Sequence, residues 1–113
     1  KLSVEAGRMV ETATARTFAD GMAVRVPVQE AFDIYSKGAE RIVSISDEEV
    51  AEAIRLYYTA THNLAEGAGA AALAALMQEK DRMKGKRVGV ILTGGNIDAP
   101  WLVTVMQGGL PQL

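Results

Sequence analysis

The 113-residue chain is 49% hydrophobic and 23% charged, enough apolar content for one domain with a modest core. A net charge of −2 gives no reason to expect nucleic acid or an anionic membrane surface as partner. The absence of cysteine excludes disulfides, a thiol nucleophile and thiolate metal ligation. No apolar run approaches the ~20 residues of a membrane span, and no charged-then-apolar leader opens the chain, so a cytoplasmic protein is expected. The chain begins at Lys1, which leaves open a piece of something longer or a trimmed protein.

Residues 1–27 read as an irregular arm with at most a helical turn, since Val4, Met9 and Val10 fall at no regular spacing. Within it, Thr17-Phe18-Ala19-Asp20-Gly21 is a loop with a turn-forming Asp-Gly, and Met22 to Val26 a short edge segment closed by Pro27. Ala31, Phe32 and Tyr35 predict a helix over Val28–Lys37, with Pro27 at its start and Gly38 at its end. Ile42, Val43 and Ile45 predict a short strand over Glu40–Ser46.

Ser46-Asp47-Glu48-Glu49 is a capping box at the head of a helix running to about Thr61, with Val50, Ile54, Tyr57 and Tyr58 on its apolar side. Asn63 to Gly69 leads into an alanine-rich helix expected to continue to about Met83, ahead of Gly85. Val88 to Leu92 is uncharged and reads as a parallel strand buried on both faces, ending at Thr93-Gly94-Gly95-Asn96. Asn96 can cap a last helix with Trp101–Met106 as its body, leaving 107–113 as a tail. The order predicts an α/β fold: a partial parallel sheet covered by helices, in a single domain.

Ligands in open α/β sheets sit outside the carboxyl ends of the strands. A hydroxyl at such an end, with two glycines after it, marks Thr93 to Asn96 as the place for chemistry; a plain strand-to-loop turn is the competing reading. Glu66 lies between apolar Ala65 and the Gly67/Gly69 pair, either aimed at a ligand or facing water at a helix start. His62, the only histidine, has no second residue spaced for a metal and receives no role. Of Tyr57 and Tyr58, adjacent on one helix, one should pack inward and one outward, and Asp20 should cap its own turn. Gly67-Ala68-Gly69 falls short of a dinucleotide fingerprint, because Ala72 stands where the third glycine belongs.

Four stretches in order resemble the C-terminal portion of threonine dehydratases (serine/threonine ammonia-lyases), pyridoxal-phosphate enzymes of the family that includes the serine racemases. They are Thr17 to Gly21, Val43 to Ala53, Glu66 to Leu76 and Val90 to Asp98. The resemblance implies the tryptophan-synthase-β-like fold, of which this chain is the C-terminal part. It implies pyridoxal phosphate as cofactor, with Thr93 hydrogen-bonding the pyridine nitrogen, Glu66 beside the ring, and Gly94, Gly95 and Asn96 forming the turn below it. Threonine stands where the family usually has serine; the hydroxyl is kept and a methyl added. A neutral hydroxyl there favours β-elimination over transamination.

The family's Ser-Phe-Lys motif and glycine-rich phosphate loop are not in this sequence, and its divalent-metal carboxylates belong upstream of Lys1. Hence no catalytic residue and no metal ligand is expected in this chain, which alone should be inactive. The resemblance implies part of an L-threonine or L-serine ammonia-lyase whose partners are an amino-acid substrate, the missing N-terminal part and further copies of itself. Serine racemase and hydroxyaspartate dehydratase use the same scaffold. The alternative from another class is a small self-contained α/β module that holds an anion at Thr93-Gly94-Gly95.

Overall fold

The computed structural model describes residues 1–113. Its helices are α1 (Leu2–Ala6), α2 (Gln29–Gly38), α3 (Asp47–Thr61), α4 (Gly67–Gln78) and α5 (Ala99–Met106), with a 3-10 turn at Asp20–Met22. None is long and apolar enough to cross a membrane.

Helix α3 starts as its sequence dictates. Glu49 N–H donates to Ser46 Oγ at 3.2 Å, and Ser46 N–H donates to Glu49 Oε2 at 2.7 Å. Each bond satisfies an amide that the first helical turn leaves without a partner. The helix ends at His62, which takes the left-handed φ of 57°. Its buried face, Val50, Ala51, Ala53 and Ile54, packs on α4, where Ala70 and Ala74 are fully buried. Such small side chains let the two helix axes approach closely, so contact is made largely by backbone and methyl groups. Phe18, Ala65 and Val105 complete the core, with Tyr57, Leu92 and Trp101 packed against it. Tyr57 is the inward tyrosine, its hydroxyl buried without a hydrogen-bond partner, and Tyr58 is exposed.

Both expected strands are corrected. Neither 40–45 nor 87–93 takes part in any backbone–backbone hydrogen bond. A ladder needs a second extended chain about 4.8 Å away, and neither segment is hydrogen-bonded to one. Burial of Val88–Leu92 on both faces is also corrected: Ile91 is 76% exposed, while Val90 and Leu92 are half-buried. Met22 to Val26 likewise forms no strand, beginning instead in the 3-10 turn.

Two helix boundaries differ from expectation. α4 stops at Gln78 rather than Met83, passing into turns that run to Gly85, whose φ is +78°. Asp81 and Arg82 are exposed, so further helix would bury little apolar surface. α5 is headed by Asp98, two residues beyond Asn96. Asn96 lies in the turn before the helix, its backbone N–H donating to Glu66 Oε2.

Residues 40–45 are held to the end of α4 by charge rather than by a sheet. Arg41 donates to both carboxylate oxygens of Glu79, through Nε at 3.0 Å and through Nη2, and Arg82 reaches Glu40 at 3.5 Å. The hydrogen bonds from Arg41 draw the Glu79 carboxyl below its ordinary value, while Glu79 raises the already high value of Arg41. Because Glu79 binds its proton less readily when folded, its stabilising contribution is complete above the ordinary glutamate range, near pH 4.3. It is lost as pH falls through the lowered value; Arg41 stays charged throughout. Urea midpoints of wild type and Glu79→Gln should therefore differ most near neutral pH and converge in acid.

Candidate functional site

The site is assembled where the loop after residue 92 meets the first turn of α4. Glu66 is the residue before that helix and could have capped it with its own side chain, but makes no such bond. Instead its backbone N–H donates to Gly94 O at 3.0 Å, and its Oε2 accepts from Asn96 N–H at 3.1 Å. One residue thus grips the turn at both ends, and Ile97 N–H closes it by donating to Gly95 O at 3.0 Å.

The glycines are needed for this approach. A Cβ on Gly94 would stand 2.8 Å from Glu66 Oε1, and one on Gly95 2.6 Å from Leu64 O. A Cβ on Gly69 would strike the Gly94 carbonyl, and one on Gly67 would lie 2.7 Å from Ala19 Cα. At Gly67, Gly69 and Gly95 the obstacle is backbone, which cannot yield cheaply, so these positions need glycine; at Gly94 it is the end of the Glu66 side chain.

The structure brings Glu66, Gly94, Gly95 and Asn96 together, with Thr93 exposed at their edge. Glu66 itself is half-buried, between the two expectations, and its carboxylate is turned to the loop. Asp20 accepts from Gly21 N–H at 2.9 Å, the self-capping expected of it. His62 ends α3 and takes no part in the site.

The Thr17–Gly21 stretch proves to be the support behind the site. Thr17 Oγ1 donates to Asp47 at the head of α3 and accepts from Ala19 N–H at 3.0 Å. Phe18 is buried edge-on to Trp101, ring centroids 6.4 Å apart, and Ala19 fills the space that Gly67 leaves. The contribution of Trp101 was not legible in the sequence: a lone tryptophan on a short helix carries no signal beyond core packing.

Between this support and the loop lies a polar recess of about 110 Å³, walled by Asp20, Glu66, Asp98 and Asn96 together with Phe18 and Trp101. Ligand pockets for molecules of cofactor size run to roughly 300–1,000 Å³. The chain therefore offers one wall of a site rather than an enclosure. Three carboxylates line the recess, so it does not suit an anionic group, which needs donors or positive charge.

Comparison with known proteins agrees with this assembly. Residues 1–94 match the family described as pyridoxal-phosphate dependent enzyme. The chain belongs to that family. A relative within it is the L-threonine ammonia-lyase of Thermotoga maritima, 35% identical over 96% of the chain and 27% of the relative. The L-threo-3-hydroxyaspartate ammonia-lyase of a Pseudomonas species is 32% identical over 94% of the chain and 33% of its own length. Among solved structures, threonine deaminase isoform 2 of Solanum lycopersicum superposes with a TM-score of 0.84 at 28% identity, over 95% of the chain and 32% of that protein. The chain thus spans between a quarter and a third of the length of these relatives. It has the tryptophan-synthase-β-like α/β fold of the pyridoxal-phosphate family, contributing helices and two extended segments that are unpaired here.

Proposed function

We propose that this chain is the C-terminal part of the cofactor-binding domain of a pyridoxal-phosphate-dependent L-threonine or L-serine ammonia-lyase. The observation that carries the reading is the Glu66 grip on Gly94 and Asn96, which seats an exposed threonine beside two glycines packed close on Glu66 and Leu64. Pyridoxal phosphate supplies the electron sink for loss of the substrate's α-proton and β-hydroxyl. Thr93 would hold the pyridine nitrogen through a neutral O–H, so that no full charge would be placed against it. Gly94, Gly95 and Asn96 would hold the ring from the turn that Glu66 anchors. The lysine that carries the cofactor and the donors for its phosphate come from the N-terminal part of the enzyme, where the family keeps them.

L-threo-3-hydroxyaspartate is the nearest competing substrate, because a relative of similar identity is named for it; serine racemisation is a further reaction of the same scaffold. A cytoplasmic homo-oligomer is part of the reading, on the family resemblance alone. The self-contained anion module draws no support from the recess, whose wall carries the carboxylates of Asp20, Glu66 and Asp98 and none of Thr93, Gly94 or Gly95.

The test is a product assay with the intact enzyme. Purified with its N-terminal part and pyridoxal phosphate, it should release 2-oxobutanoate and ammonia from L-threonine. Oxaloacetate from hydroxyaspartate with no 2-oxobutanoate from L-threonine would reassign the substrate. A cofactor-free protein inert toward both would overturn the reading.

A further inference from the structure

The family resemblance puts Glu66 beside the cofactor ring, as a group that touches the ligand. The geometry points to a different task. Its Oε2 is taken by Asn96 N–H at 3.1 Å, and Oε1 lies beside Gly94, 2.8 Å from where a Cβ on that residue would be. Both oxygens therefore face the backbone of the turn. Backbone alone would leave the turn held only at Gly94, through Glu66 N–H. The carboxylate adds a second point two residues further along, and two points define where Thr93 at the edge of the turn can stand.

We propose that Glu66 is a positioning residue. It sets the place of Thr93 through the Gly94–Asn96 backbone, by the reach of its side chain rather than by its charge. The inference rests on the functional reading above only for what Thr93 then contacts. A charge near the ring and a spacer behind the loop make opposite demands on the side chain, and two conservative substitutions separate them. Glu66→Gln keeps the length and an amide oxygen able to accept from Asn96 N–H, but removes the charge. Glu66→Asp keeps the charge and shortens the arm by one methylene, which takes the carboxylate out of reach.

The experiment uses the intact enzyme in two forms. In the cofactor-free form, amide exchange at Asn96 should match wild type in Glu66→Gln and quicken about tenfold in Glu66→Asp, as an amide does on losing a bond of this kind. In the loaded form, Glu66→Gln should retain pyridoxal phosphate and its absorption spectrum. Glu66→Asp should lose cofactor more readily, and its KM and kcat should both worsen. The reverse order, Asp like wild type and Gln defective with exchange at Asn96 unchanged, would overturn the proposal and return Glu66 to the ligand. Exchange that follows the expected order, together with a Thr93→Ala variant that retains cofactor normally, would uphold the positioning role while removing the ring from Thr93.

Discussion

Alanine at position 69 is expected to destabilise the protein by about 2–3 kcal/mol, the upper range for overpacking a closed contact. The new methyl would run into the Gly94 carbonyl, and neither side can yield cheaply. The methyl is fixed to the first turn of α4, and the carbonyl accepts the Glu66 N–H bond. Relief requires lifting the turn from the helix, which breaks that bond and carries Thr93 with it. Gly38→Ala is the matched control: nothing stands within 4 Å of its Cβ position, and it lies at the end of α2. It should be neutral or stabilising by up to ~1 kcal/mol, through the less flexible unfolded chain. Urea unfolding of the two variants beside wild type measures both. Equal midpoints for Gly69→Ala and wild type would show that the turn is not seated on α4.

Thr93 is where the largest effect on activity is expected. In the intact enzyme Thr93→Ser keeps the hydroxyl and removes a methyl, so activity should stay within about tenfold, or ~1.4 kcal/mol in the barrier. On the proposed reading Thr93→Ala would leave the ring nitrogen without its donor, at roughly 1–3 kcal/mol, equivalent to about 5- to 150-fold. Retention of pyridoxal phosphate and turnover should fall together, because the same bond serves both. Thr93→Asp changes the chemistry instead of only weakening it. A carboxylate facing the nitrogen favours its protonated form, which strengthens the electron sink, shifts the cofactor's absorption and opens side reactions such as transamination. Spectra and product analysis of the three variants distinguish these outcomes. If Thr93→Ala binds cofactor and turns over like wild type, Thr93 is a loop residue with no part in the site.

The Glu79 and Glu66 variants probe different kinds of anchoring. Arg41–Glu79 ties a partly buried segment to a helix end, and partly exposed pairs of this sort respond to pH and salt. The Glu66 bonds instead hold a glycine turn against a helix start, where one neutral amide donor and one acceptor are matched. Acid should loosen the first through loss of the carboxylate charge on Glu79. Substitution of Glu66 should be felt at Asn96, far from that clasp in the chain.

What could be foreseen from the chain alone was what neighbouring residues settle among themselves. Ser46 and Glu49 are three residues apart and satisfy each other's amides, so the start of α3 needed no knowledge of the rest of the molecule. The glycine pair after Leu92 announced a turn, and the apolar spacing of Phe32 and Tyr35 announced α2. Packing decided the remainder. Whether Val88 to Leu92 becomes a strand depends on a neighbour to hydrogen-bond, and a run of apolar residues does not say whether one is at hand. α4 ended early because Asp81 and Arg82 had no apolar surface to cover. Asn96 is not the cap of α5: it lies in the turn before that helix, its backbone N–H bonded to a carboxylate thirty residues away in sequence. That last bond is the one on which the candidate site turns. Residues so far apart meet only when α4 and the loop are packed, so composition and spacing place Glu66 near the site but cannot say which way its carboxylate faces.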